Sequence, residues 1–251
     1  MCTEPAGISS GLAYTDDTLF EGRLICRQHR HGYRFSVDAV LLAHFLDPKR
    51  EETVLDLGAG CGVISLLLAY RWPHLRLTAL ELQPQLVELC RHNVVVSGYS
   101  ERIAVVRGDF RTPWEVVEAG SFARVVANPP FRPAENGRVS GGVEQAMARH
   151  ELAGGLTDLL GAMAFALQSK GRATLVYPAA RVGVLLAALK NKGLEPKRLQ
   201  MVHSHPGGRG RLVLVEAIKG GGEELVVLPP FYINTSPGGS YSAEMRRCYT
   251  P

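Results

Sequence analysis

The chain is 251 residues long and 46% hydrophobic, enough for one large α/β domain with a buried core. Its longest apolar runs, such as 63-VISLLLA-69, are too short to cross a bilayer, and residues 1–20 lack the basic-then-apolar pattern of a signal peptide. The formal net charge is only +4, and the cysteines (Cys2, Cys26, Cys61, Cys90 and Cys248) show no C-x-x-C spacing, which points to reduced thiols in a cytoplasmic protein and away from a disulfide framework or a zinc site.

Residues 1–17 read as a loose leader. The stretch 18-TLFEGRLICRQHRHGYRFSV-37 predicts a hairpin turning at His31-Gly32, and Asp38 stands where an N-cap belongs ahead of the apolar helix 39-AVLLAHFL-46. Strands and helices then alternate. Strand 53–57 leads through glycines into helix 63–71; strand 75–81 leads into helix 84–96, with Pro84 suited to the first turn. Strand 102–108 precedes a loop and helix, and strand 122–127 ends in 127-ANPPFR-132. Helix 157–167, strand 172–178 and helix 179–192 follow, closing at Gly193, and strands 198–205 and 211–218 flank the turn 206-PGGRG-210. This order predicts a seven-stranded, mostly parallel sheet with helices on both faces and an antiparallel hairpin at its edge. Residues 1–50 are expected to form an N-terminal extension packed on a core of residues 51–251, one structural domain in all.

In such a sheet, ligands bind at the carboxyl ends of the strands. There the sequence reads 54-VLDLGAGCGV-63, a D-x-G-x-G-x-G turn built on Asp56, Gly58, Gly60 and Gly62. The dinucleotide fingerprint would need a glycine at Val63. Asp56 suits a ligand carrying an ammonium group and repels a pyrophosphate. The glycines are expected to let the backbone pass close to that ligand. The next strand ends in Glu81, whose carboxylate can accept from both hydroxyls of a ribose. The third is followed by 108-GDF-110, where Asp109 can accept from an adenine amine and Phe110 can lie against the ring. Amino acid, ribose and adenine are the parts of S-adenosylmethionine.

These motifs, with N-P-P-F, resemble the class I methyltransferases. Segments 34-RFSVDAVLLAHF-45, 148-ARHE-151, 203-HSHPGGRGRLVLVEA-217 and 227-VLPPFYI-233 are similar to the pattern of one subgroup, the bacterial enzymes that methylate the exocyclic N6 amine of an adenosine in valine tRNA beside the anticodon. The likeness runs from Thr18 to Tyr249. It implies a Rossmann-like fold, S-adenosylmethionine as cofactor, tRNA as partner, no metal and a monomer. It also assigns Phe35, Asp38 and Leu82 to the cofactor, together with Asn128. Asn128, Pro129, Pro130 and Phe131 then form the catalytic loop. The prolines restrict the backbone, the Asn128 oxygen and Pro129 carbonyl hold the amine hydrogens, and Phe131 stacks on an unstacked base.

For RNA contact the sequence offers Arg23, Arg27, Arg30 and Arg34, crowded into one short segment that also reads as a solvated hairpin face. The stretch 132–151 is rich in turn residues. It reads as a gate over the acceptor pocket, with Arg149 and His150 touching RNA, or as a plain surface loop. The pairs His29/His31 and His203/His205 have no third ligand nearby, so no metal site is expected. Enzymes that methylate a glutamine amide in release factors resemble the same core motifs. They usually carry a substantial helical domain first, whereas residues 1–52 alone precede Thr53. DNA adenine methyltransferases share the tetrapeptide, but no separate target-recognition domain is read here; another rRNA or DNA amine methyltransferase remains an alternative, and a non-catalytic RNA-binding module would not need Asp56, Glu81 and Asn128 together.

The cofactor expectation is directly measurable. Calorimetry should show binding of S-adenosylmethionine or S-adenosylhomocysteine and none of NAD. Glu81→Ala should weaken that binding by roughly 1.5–3 kcal/mol, the worth of a hydrogen bond to a charged group. Binding of NAD with no response to either adenosyl ligand contradicts it.

Overall fold

The computed structural model describes residues 14–30, 35–49, 51–129 and 155–250. Strands β1 (Tyr14–Leu19) and β2 (Leu24–His29) form an antiparallel hairpin, followed by helix α1 (Val37–Phe45). Next come β3 (Thr53–Leu57), α2 (Val63–Arg71), β4 (Arg76–Glu81), α3 (Pro84–Val96), β5 (Ile103–Arg107) and β6 (Phe122–Ala127). After these lie α4 (Leu156–Ala166), β7 (Leu167–Pro178), α5 (Val182–Asn191), β8 (Leu194–His203), β9 (Gly210–Lys219), β10 (Val226–Val227), β11 (Phe231–Tyr232) and α6 (Ala243–Arg247).

The main sheet runs β5-β4-β3-β6-β7-β9-β8, with two-residue strands β10 and β11 both paired to the outer edge of β8. Only β9 runs antiparallel to its neighbours. The seven expected strands are present, and the two short ones cover what would otherwise be a bare edge. Chain order reverses at β3, which pairs with β4 on one side and β6 on the other, so the switch point lies at the end of β3.

Alternation along β3 shows how the core forms. Val54 faces one apolar layer, shared with the hairpin and α1 to α3, while Leu55 and Leu57 face the other, shared with α4 and α5. Asp56 therefore points toward the layer of α1 to α3.

Three local expectations change. The hairpin turns at residues 20–23, where Phe20, Glu21 and Gly22 take φ of 51°, 57° and 86°; residues 31 and 32 lie outside the described residues. Phe20 is buried and stacks on Tyr70 with centroids 4.3 Å apart, a tertiary contact that fixes this turn. Ser36, not Asp38, caps α1: its hydroxyl accepts from the Asp38 amide. The segment after β5 forms only a short 3-10 turn, Pro113–Glu115.

At the amino edge of the sheet, Glu216 on β9 is buried among three arginines. It accepts from Arg124 at 2.9 Å and Arg172 at 2.6 Å, with Arg198 at 3.7 Å. Arg124, itself buried, also reaches Glu52 at 2.5 Å and the Asp47 carbonyl at 2.6 Å. Removing one member leaves an uncompensated buried charge. Glu216→Ala should therefore lose about 3–5 kcal/mol of unfolding free energy, read from the midpoint of a urea titration; a shift of a few tenths would refute it.

Candidate active site

The glycine turn begins where β3 ends. The amides of Gly58 and Ala59 both donate to the Leu80 carbonyl, at 2.9 and 3.0 Å, pulling the turn onto the end of β4. Gly58, Gly60 and Gly62 all have positive φ (72°, 58° and 88°), which is why each is glycine. Two of these positions differ in what a side chain would meet within the protein. A β-carbon on Gly58 would meet nothing within 4 Å, whereas one on Gly62 would lie 2.6 Å from Cys90 Sγ on α3. Gly62 therefore makes room for α3.

Asp56 is fully buried beneath this turn. Its Oδ2 accepts from the Ser65 amide at 3.2 Å and the Ser65 hydroxyl at 2.8 Å, tying β3 to the first turn of α2. Oδ1 has no partner among the described residues. Burial pushes the carboxyl up from 3.8 to about 7, opposed by the Ser65 hydrogen bonds.

Glu81 at the end of β4 is buried as well. Its Oε2 accepts from the Gly60 amide and its Oε1 from the amides of Leu82 and Gln83, each at 2.9 Å. This carboxylate thus holds the glycine turn in addition to any role toward a ribose, so truncating it loosens the turn as well. Leu82 is half-buried just beyond it. At the end of β5, Asp109 is clamped by Arg111, whose guanidinium reaches both carboxylate oxygens at 2.5–2.9 Å and holds the carboxyl below its usual range. Phe110 is buried in the apolar layer with Leu57 and Leu80. Asn128 and Pro129, past the end of β6, are half-buried, and the Asn128 amide makes no hydrogen bond to another described residue. Pro130, Phe131, Arg149 and His150 lie outside the described residues.

At the start of α1, the Phe35 amide donates to Gln28 Oε1 at 2.7 Å. Asp38 is half-buried, with its carboxyl pushed up by burial while the charge of Arg211 pulls the other way.

Among the described residues, Arg23, Arg27 and Arg30 do not gather into one patch. Arg23 donates to the Tyr70 hydroxyl at 3.3 Å, near the amino edge of the sheet where α2 ends. Arg27 is paired with Asp16 at 2.7 and 2.9 Å. Arg30 is exposed past the other end of β2, roughly 20 Å along the strand from Arg23, and Arg34 lies outside the described residues.

A family model for the methyltransferase small domain matches residues 34–155. A tRNA1(Val) (adenine(37)-N6)-methyltransferase of Shewanella sp. (strain MR-4) is 32% identical over 164 residues, covering 65% of this chain and 68% of that protein. The chain belongs to the tRNA1(Val) (adenine(37)-N6)-methyltransferase family. A member from Shewanella amazonensis is 31% identical over 189 residues, 75% of this chain and 79% of that one. Among solved structures, a predicted O-methyltransferase from Agrobacterium tumefaciens superposes with a TM-score of 0.70 at 21% identity, covering 84% of this chain and 95% of that one. TrmN from Thermus thermophilus gives 0.54 at 23% identity, over 72% and 48%. These two show the class I methyltransferase fold.

Two site residues escape a reading of motifs in this family member. Ser65, the partner of Asp56, looks like an ordinary helix residue in 63-VISLLLAYR-71. Asn93 on α3 is fully buried: its side chain accepts from the Arg27 amide at 2.8 Å and donates to the carbonyls of Arg27 at 3.0 Å and Cys61 at 2.9 Å. It thereby fastens β2 to the glycine turn. The available signal was an amide set directly before the apolar run Val94–Val96 in 84-PQLVELCRHNVVV-96.

The environment of Asp56 has a measurable consequence. Below pH 3.8 the folded and unfolded chains both hold this proton; between 3.8 and about 7 only the folded chain does, so stability falls as pH rises through that window. The unfolding free energy of the wild type minus that of Asp56→Asn should decline across it, with a slope approaching about 1.4 kcal/mol per pH unit. A flat difference would contradict the buried, protonated carboxyl.

Proposed function

We propose that the protein transfers a methyl group from S-adenosylmethionine to the exocyclic N6 amine of an adenosine in tRNA. The observation that carries this reading is the succession of Asp56, Glu81, Asp109 and Asn128 along one edge of the sheet, at the ends of β3, β4, β5 and β6. Family membership supports it: the Shewanella relatives are named for N6 methylation of adenine 37 in tRNA1(Val).

The residues fit the cofactor. The Asp56 Oδ1, buried and without a partner among the described residues, matches a donor such as an ammonium group. Glu81 stands one strand over, its carboxylate held by backbone amides at the end of β4, where the ribose hydroxyls are expected. Phe110 and Asp109 stand at the third strand end for the adenine. When bound, the cofactor supplies a methyl group on a positively charged sulfur.

The chain's own task is to hold the amine. The N6 lone pair is delocalised into the purine ring, and as nitrogen becomes tetrahedral its hydrogens grow acidic. The Asn128 side-chain oxygen and the Pro129 carbonyl accept those hydrogens and stabilise the developing positive charge. The new N–C bond replaces the S–C bond, and the surplus proton leaves the nitrogen for water afterwards, so no strong base is required beforehand. The place of Phe131 in N-P-P-F assigns it the stacking face for the target base.

Asn128→Ala should lose about 10²–10³ in turnover, the scale for one transition-state hydrogen-bond partner, with cofactor affinity unchanged. Wild-type turnover in that variant removes Asn128 from the reaction. For the acceptor, labelled S-adenosylmethionine is offered to bulk tRNA lacking the modification and separately to release factor. The expected product is N6-methyladenosine by nucleoside mass spectrometry. Label found only on a protein glutamine overturns the reading.

A further inference from the structure

The order of strands divides the carboxyl edge at Asn128. On one side, the ends of β3, β4 and β5 carry the residues suited to the cofactor; on the other lie the ends of β7 and β8 and the start of β9. At the usual spacing between strands these fall about 5, 15 and 10 Å from the end of β6. An acceptor larger than one base has to spread over this second side, because the first is taken.

That side carries three exposed arginines. Arg181 follows β7 and sits 5.5 Å from the centroid of the Tyr177 ring. Arg209 is in the turn between β8 and β9. Arg211, early in β9, reaches Ser204 Oγ at 3.5 Å. They share one rim: Leu212 of β9 pairs with Pro178 at the end of β7 and with Val202 near the end of β8. A β-carbon on Gly210 would lie 3.5 Å from Ala179 Cβ, so the turn and the segment holding Arg181 are in close approach.

The turn itself is stiff. The Gly208 amide donates to the His205 carbonyl at 3.1 Å, and His203 Nδ1 donates to the Gly208 carbonyl at 2.8 Å. Unlike Arg27, or the arginines around Glu216, none of the three is ion-paired among the described residues. Asp38 feels the charge of Arg211 without forming an ion pair with it.

We infer that Arg181, Arg209 and Arg211 form a phosphate-binding rim that grips the RNA backbone while the target base enters beside Asn128. The inference rests on the acceptor being RNA. Planar guanidiniums presented on a stiff turn suit phosphodiester oxygens, and their free charge makes the binding depend on salt. Of the hairpin arginines expected from sequence, Arg23 lies toward the opposite edge of the sheet and Arg27 is ion-paired with Asp16.

The test titrates fluorescent bulk tRNA into the wild type, the triple variant Arg181→Gln/Arg209→Gln/Arg211→Gln, the matching triple lysine variant, and Arg23→Gln, over a range of salt. The rim predicts that the glutamine variant loses at least about tenfold in affinity at low salt and that its log–log salt slope falls by about 2–3. The lysine variant, which keeps the charge, should retain most of the slope, and Arg23→Gln should match the wild type. S-adenosylhomocysteine binding, followed by calorimetry, should be the same in all four. An unchanged slope in the glutamine variant, or an equal loss in Arg23→Gln, overturns the rim while leaving tRNA methylation by the wild type standing. A wild type that neither binds nor labels tRNA overturns both.

Discussion

The carboxyl edge of the sheet depends on the Glu81 carboxylate, which binds three backbone amides at once. One belongs to the glycine turn after β3 and two to the turn after β4, so a single buried charge fixes the relative position of two loops. Amide hydrogen bonds to a carboxylate are stronger than neutral ones. Here one of them holds Gly60 in a left-handed conformation, while the amides of Gly58 and Gly62 bond to the carbonyls of Leu80 and Ala59. Asp56 acts in the same way on the neighbouring strand β3, binding the start of α2 through Ser65. The acids that a ligand would meet are also the acids that build the turns around it, so the site is organised before anything binds.

Charge is separated between the ends of the sheet. At the amino edge, Arg124, Arg172 and Arg198 surround Glu216, and their charges are largely spent on structure. At the carboxyl edge Asp56 and Glu81 lie buried under the loops, and the exposed arginines of the far side form no ion pair among the described residues.

Much of this was legible in the sequence for reasons that can be named. Helix α3 begins at Pro84 and strand β6 stops before N-P-P because proline sets those limits locally. Parallel strands follow from apolar runs alternating with helices. The D-x-G-x-G-x-G turn was visible since three left-handed residues demand glycine. What escaped was set by contacts distant in sequence. The hairpin turns at residues 20–23 and not at His31-Gly32, because Phe20 finds Tyr70; both places offer a residue followed by glycine. Ser36 outcompeted Asp38 as the cap, a difference of two residues that pattern alone does not resolve. The arginines of the hairpin looked like a patch because they are near in sequence, yet an extended strand spreads such neighbours apart. Asn93 could not be assigned, since its partners come from β2 and the glycine turn.

The end of α2 ties together regions of the chain that are far apart in sequence. Tyr70 stacks on Phe20 and holds Arg23, while Arg71 lies over the Phe20 ring and donates to the carbonyls of Arg247 and Cys248 at the close of α6. The opening hairpin and the closing helix thus share one fastening. Arg71 touches both at once, lying over the Phe20 ring while its guanidinium holds the carbonyls at the close of α6. Asn93 holds the same strand β2 to the glycine turn, so the fastening at the end of α2 and the turn at its start share one hairpin.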